Sequence, residues 1–120
     1  MGVCDFKKEH EESVEKAKAN MPSGAEIERI CNLLKILGEP SRMKIVLALL
    51  QGEECVYHIV QAVGGTQSAV SHQLRILKDG QIVKARRDGQ NVLYSLADRH
   101  VEEIIVKARL HASCLVESEE

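Results

Sequence analysis

Four residues near the C-terminus are competent ligands for a borderline transition metal: Asp98, His100, His111 and Cys114. Together they supply a carboxylate, two imidazoles and a thiolate, a closed four-ligand set without the open position that catalysis needs. On a helix turning about 100° per residue, His111 lies about 20° round from His100, and Cys114 about 40° to the other side. The three therefore form one strip. Along the axis the two histidines are eleven residues apart, about 16 Å at about 1.5 Å per residue. Metal–ligand bonds span only about 2.0–2.3 Å. One helix cannot bring both ends of the strip to one ion, but two such helices packed antiparallel across a two-fold axis can. Asp98 and His100 of one copy then meet His111 and Cys114 of the other, and symmetry makes a second equal site. Val101, Ile104, Ile105, Ala108, Ala112 and Leu115 form the adjoining apolar arc expected to hold the two copies together.

A second pair of ligands, Cys55 and His58, stands one helical turn apart. The helix N-terminus near Cys55 favours its thiolate. Cys4 and His10 are the strong ligands of the polar N-terminal segment. Cys31 faces the apolar residues of its own helix and reads as packing. The first twenty residues alternate acids and lysines, unlike a signal peptide. No apolar run approaches the roughly 20 residues of a membrane span. These features point to the cytoplasm, where thiols serve metal, redox chemistry or packing rather than disulfides.

The elements that must carry these residues follow from periodicity. Residues 1–24 read as an arm, partly mobile, ended by the Met21-Pro22-Ser23-Gly24 break; 25–116 read as one domain and 117–120 as an acidic tail. Apolar residues recur at helical spacing from Ala25 to Leu37. Residues 42–50 form a short apolar helix, and another runs from about Cys55 to Val63 until Gly64-Gly65 stops it. Thr66 is a good N-cap for a helix over Gln67 to Lys78. The period then changes to strands at 82–87 and 91–96, joined through Asp88-Gly89, a hairpin signal. Asp98 caps a last helix over about 99–115. One Phe, two Tyr and no Trp leave an aliphatic core. The fold class is mainly α with a β-hairpin wing, a winged helix-turn-helix. A helical domain of this size often completes its core by dimerising.

The helix over 67–78 divides cleanly. Val70, Leu74 and Leu77 share an inward face. Gln67, Ser68, Ser71, His72, Arg75 and Lys78 cluster outside, short hydrogen-bonding residues near the N-terminus and cations toward the C-terminus. Such a face probes base edges while holding phosphates. The wing adds Lys84, Arg86 and Arg87. Over 66–94 five cations stand against two acids, locally +3 in a chain of formal net charge −2. This local asymmetry points to double-stranded DNA as a partner. No Gly-rich phosphate loop and no Ser/His/Asp arrangement suggests an enzyme.

The runs Ser-Ala-Val-Ser-His-Gln-Leu-Arg-Ile-Leu-Lys (68–78) and Gly-Gln-Ile-Val-Lys-Ala-Arg-Arg-Asp-Gly-Gln-Asn-Val-Leu-Tyr-Ser-Leu (80–96) resemble the ArsR/SmtB family of bacterial metal-sensing repressors, over about residues 25–115. The resemblance implies a homodimeric winged helix whose operator affinity falls when metal binds. It makes 67–78 the recognition helix, with Ser68, Ser71 and His72 facing bases. It implies an interfacial zinc site with the spacing Asp-x-His-x10-His-x2-ligand, where Cys114 replaces the more common His and softens the selectivity toward Cd(II), Co(II) or Ni(II) beside Zn(II). It also implies that Cys55 and His58 join Cys4 and His10 of the arm, although Tyr57 stands where arsenic and lead sensors carry a second Cys. A backbone carbonyl near Gln81 is the implied acceptor for the second ring nitrogen of His111. Two alternatives stay open: a thiol-redox or persulfide sensor of the same fold using Cys31, Cys55 or Cys114, and a structural zinc or adaptor protein that never touches DNA.

Overall fold

A computed structural model describes the backbone of residues 3–119 and the side chains of residues 7–115. The elements run α1 (Val3–Asn20), α2 (Gly24–Leu37), α3 (Pro40–Leu49), β1 (Glu54–Cys55), α4 (Val56–Val63), α5 (Gln67–Asp79), β2 (Val83–Asp88), β3 (Asn91–Leu96) and α6 (Arg99–Glu119). The chain divides into two compact units, Met1–Asn32 and Leu33–Glu120, so the division falls inside α2 rather than after residue 24. The first unit holds the polar helix α1 and the start of α2.

Its core is aliphatic throughout, as the composition requires. Leu37, Ile45, Val46, Leu49, Ile59, Val70, Leu74, Leu77, Ile82, Val83, Val101 and Ile105 are buried in one cluster, with Leu33 and Ile36 packed against it. The inward set of α5 is the one its spacing specifies. Helix ends are fixed by local chemistry. The Glu39 carboxylate caps α3 by accepting from the Arg42 backbone N–H at 3.1 Å, with Pro40 in the first turn. Partial burial works against the charged Glu39 carboxylate, but the backbone N–H groups of Ser41 and Arg42 and the Arg42 charge outweigh it and lower its pKa. Thr66 Oγ1 accepts from the Ala69 N–H at 3.1 Å and starts α5. Gly64 and Gly65, at φ 84° and 87°, make the turn that no residue with a Cβ enters cheaply.

The strands form an antiparallel sheet in the order β1-β3-β2. Asp88 pairs with Asn91, so the central residues of the hairpin are Gly89 and Gln90 rather than Asp88 and Gly89. Gly89 takes φ 65°, while Gln90 is not left-handed, which is the pattern of a turn needing glycine only at its first central position. The two-residue strand β1 is an addition to the expected wing. It pairs Glu54 with Tyr94 and Cys55 with Leu93. Cys55 is therefore the N-cap of α4 in extended conformation, not a residue on that helix, because the ladder to β3 holds its backbone straight.

Helix α6 departs from the expected dimer arc in one respect. Val101 and Ile105 are 7% and 1% exposed, buried in the chain's own core, and Ile104 packs against it. These residues close the wing side of the domain and are not free for a second copy. Among the described residues, Val106, Leu110 and Leu115 are the exposed large apolar residues of α6, and Ile27, Ile30 and Leu34 those of α2. Cys31 is likewise exposed, not packed in the chain's own core. No described helix is long and apolar enough to cross a membrane.

Candidate nucleic-acid interface and metal ligands

Helix α5 is seated by Val70, Leu74 and Leu77, which leaves Gln67, Ser68, Ser71, His72, Arg75 and Lys78 all exposed. Ser68, Ser71, His72, Arg75 and Lys78 line one open groove with Asp79 and Tyr94. Tyr94 was not among the sequence-derived candidates. It comes from β3, and the strand period alone could have flagged it, since directly opposed residues share a sheet face. Ala85 pairs with Tyr94 and Val92 with Arg87. Arg87 thus belongs to the sheet face that Tyr94 presents beside α5. Lys84 and Arg86, one step out of phase, belong to the other face.

Two contacts that no local pattern announces brace this surface. Arg42 donates from Nε to the Ile36 carbonyl at 2.8 Å and from Nη1 to Gln73 Oε1 at 3.3 Å, tying the end of α2 and the start of α3 to the middle of α5. Arg86 donates to both carboxylate oxygens of Glu53, Nε at 2.6 Å and Nη2 at 2.8 Å. The Arg86 hydrogen bond, with the Arg86 and Lys84 charges, lowers the Glu53 pKa against partial burial, and the same hydrogen bond and charge raise that of Arg86.

An exposed Arg75 on the open groove has an expected consequence. Arg75→Ala weakens operator binding, and the slope of log K against log salt becomes shallower by about 0.9 if one phosphate contact is lost. Affinity titrations at several salt concentrations check this. An unaltered slope and affinity would place the DNA face elsewhere.

The four ligands on and beside α6 sit as two pairs. Asp98 caps the helix, its Oδ1 accepting from the Val101 N–H at 3.0 Å, and His100 Nδ1 stands 3.7 Å from the same oxygen. His111 and Cys114 are exposed further along. Leu110 and Val106 flank the His100–His111–Cys114 strip on one side and Leu115 on the other, given about 100° per residue. Among the described residues no three His, Cys, Asp or Glu side chains of one chain converge as a metal site. The donor chemistry of the two pairs nevertheless fits a borderline metal: a carboxylate, two imidazoles and a thiol, all on exposed residues.

The second candidate set is distributed differently. The Cys4 side chain lies outside the described residues. His10 is exposed on α1, and Cys55 is half-buried at the start of α4. His58 Nδ1 lies 3.1 Å from Oε2 of Glu54 in β1, a partner that the sequence reading did not include.

The family model for bacterial regulatory proteins of the arsR family matches residues 39–85. A transcriptional repressor SmtB homolog from Synechocystis is 41% identical over 101 residues, covering 84% of this chain and 76% of that protein. A cadmium resistance transcriptional regulatory protein CadC homolog from Staphylococcus aureus is 34% identical over 110 residues, covering 91% of this chain and 90% of its own length. Among solved structures, a homodimeric winged helix-turn-helix DNA-binding domain from Mycobacterium bovis superposes with a TM-score of 0.76 at 28% identity, over 83% of this chain and 94% of that one. The wing, the helix-turn-helix and these relatives agree: the chain belongs to the ArsR/SmtB family of DNA-binding transcriptional repressors.

Proposed function

We propose that this repressor is a cytoplasmic homodimer that binds a palindromic operator in its apo form and releases it on binding Zn(II) or a similar ion such as Cd(II), Co(II) or Ni(II). The observation that carries this reading is the division of a four-donor set between two ends of one exposed helical strip. A second copy in antiparallel register completes each half: Asp98 and His100 of one copy with His111 and Cys114 of the other. Leu110, Val106 and Leu115, exposed beside the strip, are the apolar surface available to hold that register. The ion supplies a cross-link between the two helices. The relatives support the assignment, since one carries cadmium resistance in its name and another is a homodimer.

On α5 and the wing, Gln67, Ser68, Ser71 and His72 read base edges, and Arg75, Lys78, Lys84 and Arg87 hold phosphates. Release follows if the cross-linked dimer sets the two recognition helices at a spacing that no longer matches successive major grooves. The coupling is reciprocal, so operator DNA weakens metal binding by the same factor.

The test is a titration of Zn(II), Co(II), Ni(II) and Cd(II) into operator-bound protein, with Co(II) absorption reporting thiolate ligation. The expected result is release with a thiolate-to-Co(II) band that disappears in Cys114→Ser. Sedimentation shows a dimer with and without metal. A monomer at micromolar concentration in both states, or release without any response at Cys114, overturns the intersubunit site.

A further inference from the structure

Among the described residues, the two short, two-pronged contacts between Glu53 and Arg86 belong neither to the metal ligands nor to the core. We propose that Glu53 is an internal counter-ion that occupies the phosphate-binding edge of Arg86, so that the pair meets DNA as a neutral unit and the wing holds phosphate without Arg86. This rests on the assignment of α5 and the wing as the DNA-facing surface.

The argument begins with guanidinium geometry. A carboxylate and a phosphate present the same two-oxygen edge to the N–H fork of arginine. In this molecule the Nε and Nη2 donors of that fork both end on Glu53. The carboxylate charge directly against the guanidinium also cancels its field. Counterion release by Arg86 then has little left to drive it.

Exposed ion pairs are commonly weak because two long side chains must be held in one geometry. Here the sheet does much of that holding. Glu53 immediately precedes β1, which β3 fixes through the Glu54–Tyr94 pair, and Arg86 is fixed to the same strand opposite Leu93. Continuing the register puts Glu53 and Arg86 diagonally across β3 on one sheet face, the face of Lys84 and not that of Tyr94 and Arg87. The two partners are 33 residues apart in sequence, so a charge count over 66–94 includes the arginine and omits its partner. With Glu53 included, the free charge of α5 and the wing is one less than that count. The consequence is lower sequence-independent affinity for DNA, which widens the ratio of operator to random binding.

The experiment measures binding to a random-sequence duplex over a range of salt for the full chain and for Glu53→Gln, Arg86→Ala, the double variant and Arg75→Ala. Freeing Arg86 adds one phosphate contact, so Glu53→Gln steepens the salt slope by about 0.9 and tightens binding about eightfold near 0.1 M salt. Arg86→Ala alone weakens binding, because it leaves an unpaired carboxylate near DNA. The double variant removes a neutral unit and returns to within about twofold of the parent with the parent's slope. If Glu53→Gln leaves the slope unchanged, or the double variant loses a full contact, Glu53 is not what keeps Arg86 from phosphate and the proposal is overturned. Arg75→Ala separates the two levels of failure. A lowered slope in Arg75→Ala with no response in Glu53→Gln keeps the DNA face and discards the counter-ion. No response in either variant, or no salt-dependent binding by the parent, discards the DNA face and the counter-ion with it.

Discussion

His111→Ala is expected to abolish metal-induced release while leaving apo protein bound to its operator as tightly as before. His111 stands on the exposed strip of α6, remote in sequence from the residues of α5 and the wing assigned to DNA, so its removal subtracts nothing from the apo complex. In the proposed dimer it has two tasks. One ring nitrogen is a ligand. The other must donate to an acceptor that fixes the ring, which is how a ligand's orientation reaches the surrounding protein. The resemblance to the family implies a carbonyl near Gln81 for that acceptor. Gln81 stands just past Gly80, the C-cap of α5, and is the one non-glycine residue among those described with a positive φ, 61°. An imidazole anchored there would pull on the turn that ends the recognition helix. Coupling between effector and DNA in such systems is typically about 5–150-fold in affinity, and in His111→Ala it should shrink to within about twofold. Anisotropy with labelled operator, with and without metal, measures both limbs. Cys55→Ser serves as the counterpart and should retain nearly full release. A metal-blind Cys55→Ser beside a responsive His111→Ala would move regulation to Cys4, His10, Cys55 and His58.

The largest loss of stability is expected from Leu77→Ala. Leu77 is 0% exposed in the aliphatic cluster, and its carbonyl accepts the Ile82 N–H at 2.9 Å where the chain leaves α5 for the wing. Truncation removes buried methyl groups and leaves a cavity in a core whose buried members are all aliphatic. Such substitutions cost about 2–5 kcal/mol, a large share of the about 5–15 kcal/mol typical of a domain. Urea unfolding at fixed protein concentration measures the change, since a dimer's apparent stability depends on concentration. A loss below about 1 kcal/mol would mean that the site collapses around the truncated side chain. Operator affinity of the folded fraction should change far less than stability, because Leu77 lies on the inward face of α5.

What the amino-acid sequence determined by itself is everything with a local period or a local cap. The inward set Val70, Leu74 and Leu77, the Thr66 cap, the Gly64-Gly65 turn and the aliphatic core were legible because helical spacing and hydrogen bonds to the nearest backbone act within a few residues. The separation of the candidate ligands along α6 was legible for the same reason: the rise of one helix already sets His100 apart from His111. Tertiary structure alone decided which side of α6 turns inward. Val101 and Ile105 share their apolar character with Val106 and Leu110 on the other side, and only the approach of the remaining elements chose between them. It also decided that Cys55 ends a strand, since two residues are too few to show alternation and β1 exists only because β3 offers it a ladder. The Arg42–Gln73 and Glu53–Arg86 contacts span 31 and 33 residues. No periodicity encodes such pairs. They arise when packing brings two charged or polar groups within hydrogen-bond range, and in the wing that packing gave Arg86 a carboxylate partner that its sequence neighbourhood does not announce.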